Sequence, residues 1–340
     1  MNYLKRAKWR IGYTLDQLKD YTATLFWSVS GKFNRPGPLP SIKQVGADGN
    51  TVVDAFWGEH LVDTTQFKSP LQSKRHLRWR ASIYPLFTEF VNLYGNHDGQ
   101  VVLDYGCGPG NDLVGYGIYT NARKIIGIDI SAKAVRLAQH RLSLHRVDPG
   151  RIELIHSSDS VNSIPLDDES IDFLQCLGVL HHTSQPDALL REFHRILKPG
   201  AEARVMVYNR DSLWVHLYAA YQKLVIQNAF PGKNVYEIFH LTVDVEANGT
   251  GKCPIARCHN WEEFLQICEN SGFQTEYVGG YLSDVELNSM KKYLRPALDD
   301  QRLDEEHRKF LGSLVMDQNG LPVYEGKHAG IGSVFKLVRK

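Results

Sequence analysis

From residue 98 onward the chain alternates short continuous apolar runs with stretches of helical periodicity. Val101-Val102-Leu103 is followed by glycines and a helical stretch to about Asn121. Ile125 to Ile130 is a second run, Ile152 to Ile155 a third, Ile171 to Leu177 a fourth and Ala203 to Tyr208 a fifth. Runs apolar at successive positions, not alternate ones, predict strands buried on both faces. Ser131 can cap the helix whose Val135, Ala138 and Leu142 share a face. Pro186 suits a first helical turn, where its missing N–H costs nothing, and Pro199-Gly200 reads as the end of that helix. Asn260 is placed to cap a further helix with Phe264, Ile267 and Cys268 as its apolar face and Gly272 as its stop. Phe273 to Val278 and Ile331 to Val338 predict two last strands. Strands alternating with helices imply an α/β fold built on a doubly wound, mainly parallel sheet.

Additions surround this core. Residues 1–30 read as helical, and 31–53 as a linker punctuated by Gly31, Pro36, Gly37, Pro38, Pro40, Gly46 and Gly49. Helical character resumes over 76–95, with Trp79, Ile83, Leu86 and Phe90 spaced 4, 3 and 4 apart. The expected division is a helical extension and cover over 1–95, a ligand-binding core over 96–208, and a lid insertion over 209–258. The core continues over 259–279, a cap insertion follows over 280–330, and the final core strand occupies 331–340.

Composition narrows the classes. With 39 Lys+Arg against 38 Asp+Glu the net charge is +1, so attraction of the whole surface to nucleic acid is not expected. Residues 1–40 carry seven basic side chains against Asp16 and Asp20, a +5 arm ahead of a −4 body, which can make weak peripheral contact with an anionic membrane. No run of about 18 apolar residues predicts a membrane span, and no apolar signal core follows the first charges. Five cysteines form no dense framework, so a reducing, cytoplasmic setting is expected. Cys253, Cys258 and His259 cluster in sequence but lack a partner pair at metal-site spacing, so no metal is expected.

The chemistry concentrates in Asp104-Tyr105-Gly106-Cys107-Gly108-Pro109-Gly110. Glycines at spacing two permit positive φ and close approach of a ligand to the backbone, and the following helix start offers free N–H groups. A dinucleotide fingerprint would need glycine at position 111, where Asn111 stands. Asp104 would repel a pyrophosphate but suits an ammonium group. Asp129, 19 residues after Gly110, can accept hydrogen bonds from ribose hydroxyls. A ligand with a ribose, an ammonium group and no phosphate fits S-adenosylmethionine.

At these residues the chain resembles the class I, Rossmann-like S-adenosylmethionine-dependent methyltransferases of the small-molecule type. Three further segments carry the resemblance: Ile126-Gly127-Ile128-Asp129-Ile130-Ser131, Gly178-Val179-Leu180-His181-His182, and Arg195-Ile196-Leu197-Lys198-Pro199-Gly200. It implies a seven-stranded sheet with the last strand antiparallel. It implies that Asp104, Gly106, Cys107, Gly108 and Gly110 hold the methionine end, and that Asp129 and Ile130 hold the ribose. Asp159 and Ser160 would meet the adenine, and Cys176 and Gly178 would line the cofactor beside the fourth strand. Cys107 reads as a small residue that fits tightly rather than as a nucleophile.

His181 and His182 follow the fourth strand at the sheet's C-terminal edge and are the expected base or substrate orienter, with the choice between them open. Tyr208 can wall the substrate, Phe56-Trp57 can fold over the cofactor, and His328 can reach the site from the approach to the last strand. Trp214, Leu217, Tyr218 and Tyr221 would give an apolar acceptor wall. The expected partner is a small-molecule methyl acceptor, with oxygen or nitrogen favoured. A silent cofactor-binding scaffold and a nicotinamide oxidoreductase are the alternatives; the intact loop and the His pair argue against the first, and Asn111 and Asp104 against the second.

Overall fold

The computed structural model describes residues 36–46, 51–62, 64–159, 163–244 and 253–340. The basic arm, its predicted helix and Ser160 therefore lie outside the described residues.

All seven predicted strands form: β2 (Val101–Tyr105), β3 (Lys124–Asp129), β4 (Ile152–His156), β5 (Ile171–Leu177), β6 (Leu197–Asn209), β8 (Phe273–Tyr281) and β12 (Gly332–Arg339). Two short strands, β1 (Ile42–Gln44) and β7 (Cys258–His259), bring the sheet to nine rather than seven. The order is β1-β4-β3-β2-β5-β6-β12-β8, with β7 beside the end of β6. β2 to β6 run parallel, with Leu103 between Ile126 and Leu174. β12 runs antiparallel between β6 and β8, placing Phe335 opposite Val205 and Tyr277. Chain order reverses direction at β2, so β2 and β5 splay their connections apart and open a crevice at their C-terminal ends.

The linker reading of 31–53 is corrected in part. Ile42–Gln44 pairs in parallel with Leu154–His156 as an edge strand. Its approach is fixed by Gly37 N donating to Ser143 O (2.7 Å) and Gln139 Nε2 donating to Pro40 O (2.6 Å). A proline-rich segment is already extended, and an exposed sheet edge needs only a few such residues to gain a short strand.

The predicted helix over 76–95 is also corrected. One helix spans Pro70–Ile83 behind the N-cap Ser69, and a single turn follows at Phe87–Phe90. Between them Pro85 forces Tyr84 out of the helical region (ψ 81°), and Leu86 takes φ 71°. Leu77 and Phe90 are buried there, while Trp79 is 54% exposed. Pro199-Gly200 does not separate helix from strand either: β6 begins at Leu197, and a register shift against β5 between Ile171 and Phe173 absorbs the glycine, at φ 73°.

The lid insertion supplies a π-type helix, Trp214–Ile226, and an α-helix, Val235–Thr242. The cap supplies helices Asp284–Asp299 and Glu305–Gly312 and a small three-stranded sheet, β9 to β11 (Val315–Met316, Pro322–Tyr324, Lys327–His328). Leu217 and Tyr221 pack in a second core with Phe239, Ala297 and Phe310. The insertions thus bury their apolar faces mainly against each other, beside the C-terminal edge of the sheet. Among the described residues no helix is long and apolar enough to cross a membrane.

Candidate functional site

The three loop glycines serve two purposes. All take positive φ, at 76°, 52° and 80° for Gly106, Gly108 and Gly110. A Cβ at Gly106 would lie 2.1 Å from Val179 Cγ2, and one at Gly110 would lie 2.8 Å from Ala138 Cβ, so these two permit close packing. A Cβ at Gly108 would meet nothing within 4 Å. Its backbone instead faces a cavity of about 150 Å³ lined from the ends of β2, β3, β4 and β5. Gly106 N and Cys107 N both donate to Ile128 O, at 2.7 and 3.0 Å, which ties the loop to β3.

Gly106, Gly108, Asp129, Ile130, Asp159, Gly178 and His182 all line this one cavity. Asp129 Oδ2 accepts from Gly108 N (2.7 Å) and Oδ1 from Ser131 N (2.8 Å). Burial raises the Asp129 carboxyl above its ordinary pKa, and those N–H donors pull it back. Each carboxylate oxygen can still accept a second hydrogen bond, which suits a ribose diol. Asp159 accepts from Thr183 Oγ1 (2.7 Å) and Ser184 Oγ (2.6 Å).

Asp104, Cys107, Gly110, Cys176 and His181 do not line the cavity and stand behind its wall. Asp104 is buried, and its pKa is pushed well up by burial and by Asp112, with Asp129 adding to the rise and Arg80 opposing it. The Arg80 guanidinium binds Asp112 at 2.5 and 3.2 Å. Asp104 therefore stands behind the glycine loop in a buried acidic cluster that Arg80 offsets in part. Sequence reasoning missed Arg80 and Asp112. It also missed Gln175, which donates to Asp112 (2.9 Å) and accepts from Tyr116 Oη (2.8 Å). A fully buried glutamine inside an apolar strand was the available signal. Burial also holds the Cys107 and Cys176 thiols protonated, in keeping with packing roles.

The two histidines differ. His182 Nδ1 lies 2.6 Å from Ile255 O. A carbonyl only accepts, so Nδ1 carries the proton and Nε2 keeps its lone pair. Nε2 stands 3.8 Å from Asp244 Oδ1, which accepts from Tyr208 Oη at 2.7 Å. Burial lowers the His182 pKa, while Asp244 and the Ile255 carbonyl oppose that shift. His181 is fully buried, and neither ring nitrogen has a hydrogen-bond partner among the described residues. Its ring packs on Tyr208, with centroids 3.8 Å apart, and burial lowers its pKa well below the ordinary value.

Donor atoms of His182, Asp244 and Cys253 lie within 4.8 Å of one another, a spacing a metal ion could use. Yet Cys253 Sγ and His182 Nδ1 both donate to Ile255 O, and the Cys253 thiol is pushed up to about 12 by burial. That is a set of satisfied hydrogen bonds more than an ion cage. Cys258 and His259, also noted for metal, pair as β7 with Tyr208 and Asn209.

Trp57 lies on a helix, Val52–Glu59, that covers the cavity; its ring meets His182 edge-on at 4.9 Å. His328 lies in the small sheet, 3.2 Å from Asp317, and does not line the cavity. Neither do Trp214, Leu217, Tyr218 or Tyr221.

Residues 103–205 match the family model described as a methyltransferase domain. The ubiquinone biosynthesis O-methyltransferase of Pseudomonas syringae pv. tomato is 28% identical over 152 residues, covering 44% of this chain and 61% of that protein. The enzyme of the same description from Albidiferax ferrireducens is 30% identical over 130 residues, 38% of this chain and 49% of that one. The chain thus matches about half to three-fifths of these relatives' lengths. Geranyl diphosphate C-methyltransferase from Streptomyces coelicolor, solved with S-adenosyl-L-homocysteine, aligns at TM-score 0.48 and 14% identity over 85% of this chain and 99% of that one. Residues 103–205 thus carry a methyltransferase domain.

Proposed function

We propose that this domain transfers the methyl group of S-adenosylmethionine to an oxygen or nitrogen of a small organic acceptor, with His182 as the base. S-Adenosylmethionine supplies an electrophilic methyl carbon on a positively charged sulfur. The observation that carries the reading is that His182 shares a cavity with Gly108, Asp129 and Asp159 in the tautomer that leaves Nε2 free to take a proton. Gly106, Gly108 and Asp129 would hold the methionine and ribose parts, and Asp159 would reach the adenine. Asp104 would support the methionine end from behind the loop.

His182 would accept the acceptor's proton at Nε2 as the nucleophile is used up. The imidazolium so formed stands beside Asp244, whose charge favours it. Val53, Trp57, Leu61 and Val179 wall the cavity with apolar surface that keeps water from competing. No Lys or Arg is among the described lining residues, which suits an uncharged or cationic acceptor over a phosphate or carboxylate. The O-methyltransferase names of the relatives favour oxygen.

The test is transfer of a labelled methyl group from S-adenosylmethionine to a metabolite extract, with the product identified by mass spectrometry. His182→Ala should lower turnover on that product by roughly 10²–10⁴-fold. Its affinity for S-adenosylmethionine should stay within a few fold. Undiminished turnover in that variant removes the base assignment, and a wild-type chain that labels nothing removes the activity.

A further inference from the structure

Asp54 is a buried carboxylate that the chemistry above does not use. It is the third residue of the covering helix, and within the first turn it makes a capping box with Thr51. Such an acid ordinarily faces water. Here it is 7% exposed and has four donors. Thr51 N and Oγ1 reach Oδ2 at 3.3 and 2.6 Å. Ser158 Oγ reaches the same oxygen at 2.8 Å, and Asp159 N reaches Oδ1 at 2.9 Å. Ser158 and Asp159 lie 104 and 105 residues away, on the segment after β4. One carboxylate therefore both closes the helix's first turn and docks the helix on the opposite rim of the cavity.

The contacts continue around the mouth. Asp159 is held in turn by Thr183 and Ser184, directly after His182. His182 meets the edge of Trp57, one turn along from Asp54 on the same helix. Asp54, Asp159, Thr183, His182 and Trp57 thus form a closed circuit around the cavity. The Asp54 contacts join the two sides of this rim, the covering helix and the segment after β4.

We infer that Asp54 is a positioning residue, a latch that holds the covering helix shut over the bound cofactor and keeps Trp57 against His182. The inference rests on reading the cavity as the cofactor site. Charge-assisted bonds made only in the closed arrangement slow ligand release more than they speed entry. Asp54→Asn keeps the side chain's shape but turns one accepting oxygen into an NH₂ that cannot accept.

The experiment uses the full chain and S-adenosylhomocysteine, with release followed by tryptophan fluorescence in stopped flow. Hydrogen exchange of residues 52–59 and of strands β2 to β5 is measured alongside. Asp54→Asn and Ser158→Ala should each speed release by about tenfold or more, with faster exchange in 52–59 and unchanged protection in the strands. Release within twofold of wild type in both variants overturns the latch. Loss of protection throughout the strands also overturns it, because Asp54 would then be a general stability contact. Wild-type chain that binds no S-adenosylhomocysteine overturns the functional reading and the latch with it; wild-type binding with unaltered release in the variants overturns the latch alone.

Discussion

At the scale of the residue, His181 and His182 are neighbours in sequence with opposite surroundings. His182 has a carbonyl on one nitrogen and an open lone pair on the other, whereas His181 is packed against Tyr208 with no hydrogen-bond partner among the described residues. Both predicted candidates were visible as a pair, but the choice between them depends on Ile255 and Asp244, more than sixty residues downstream. The surroundings of His182 set a pH profile. Its pKa lies below 6.5, mainly through burial, so the base stays neutral at pH 6.5 and protonates only at lower pH. The acid limb of kcat/KM should therefore fall below pH 6.5. Asp244 raises that pKa, so Asp244→Asn should move the limb to still lower pH. Measuring kcat/KM from pH 4.5 to 8 in both proteins checks this; a limb that does not move separates Asp244 from the base.

At the scale of the element, apolar runs marked the five parallel core strands, because a strand buried on both faces favours apolar side chains at successive positions. β1 and β7 carried no such signal: they are two or three residues long, half exposed and recruited by an existing edge. The helical period was a weaker guide where Pro85 broke the backbone: the spaced residues from Trp79 to Phe90 fall on a helix and a separate turn, not on one helix. β12 is the element on which the sheet's far half depends. It pairs with β6 from Gly332 to Val338 and with β8 from Gly332 to Arg339. Removing residues 332–340 would leave two ladders unpaired and uncover Phe264 and Tyr277, whose rings pack against Phe335. That truncation should abolish cooperative thermal unfolding and give an aggregating chain by circular dichroism and size exclusion. A sharp transition near the wild-type temperature would contradict the assignment.

At the scale of the molecule, the core and its insertions meet at Glu286. This fully buried carboxylate accepts from Ser283 N and Oγ, both at 2.8 Å, and from Trp214 N at 3.1 Å, which joins the cap helix to the lid helix. Burial raises its pKa from 4.5 to about 7. Between those values the folded state holds a proton that the unfolded chain has lost, so this group's contribution to stability falls as pH rises from 4.5 through 7. The loss is on the order of 3 kcal/mol. His145, His216 and His259, held neutral at about 4, 3 and 4, act in the other direction: they cost stability as pH falls below 6.5. They are common to wild type and Glu286→Gln, so the difference between the two isolates Glu286. That difference should shift in favour of the Gln variant by up to about 3 kcal/mol from pH 5 to 8, measured by denaturant unfolding. A constant difference would show that Glu286 does not titrate in this range.

The sequence alone determined the fold class, the core strands and the glycine loop with Asp129. These depend on local conditions that a linear pattern records: apolar runs for buried strands, glycine for positive φ, an acid at a strand end. Tertiary structure alone decided which histidine lines the cavity and that Arg80, Asp112 and Gln175 stand behind Asp104. It also decided that Asp54 locks the cover to the far rim, and that the aromatic lid helix packs in its own core away from the cavity. Each of these depends on groups brought together from distant parts of the chain, where charge, burial and hydrogen-bond geometry act through space and leave no periodic trace in the order of residues.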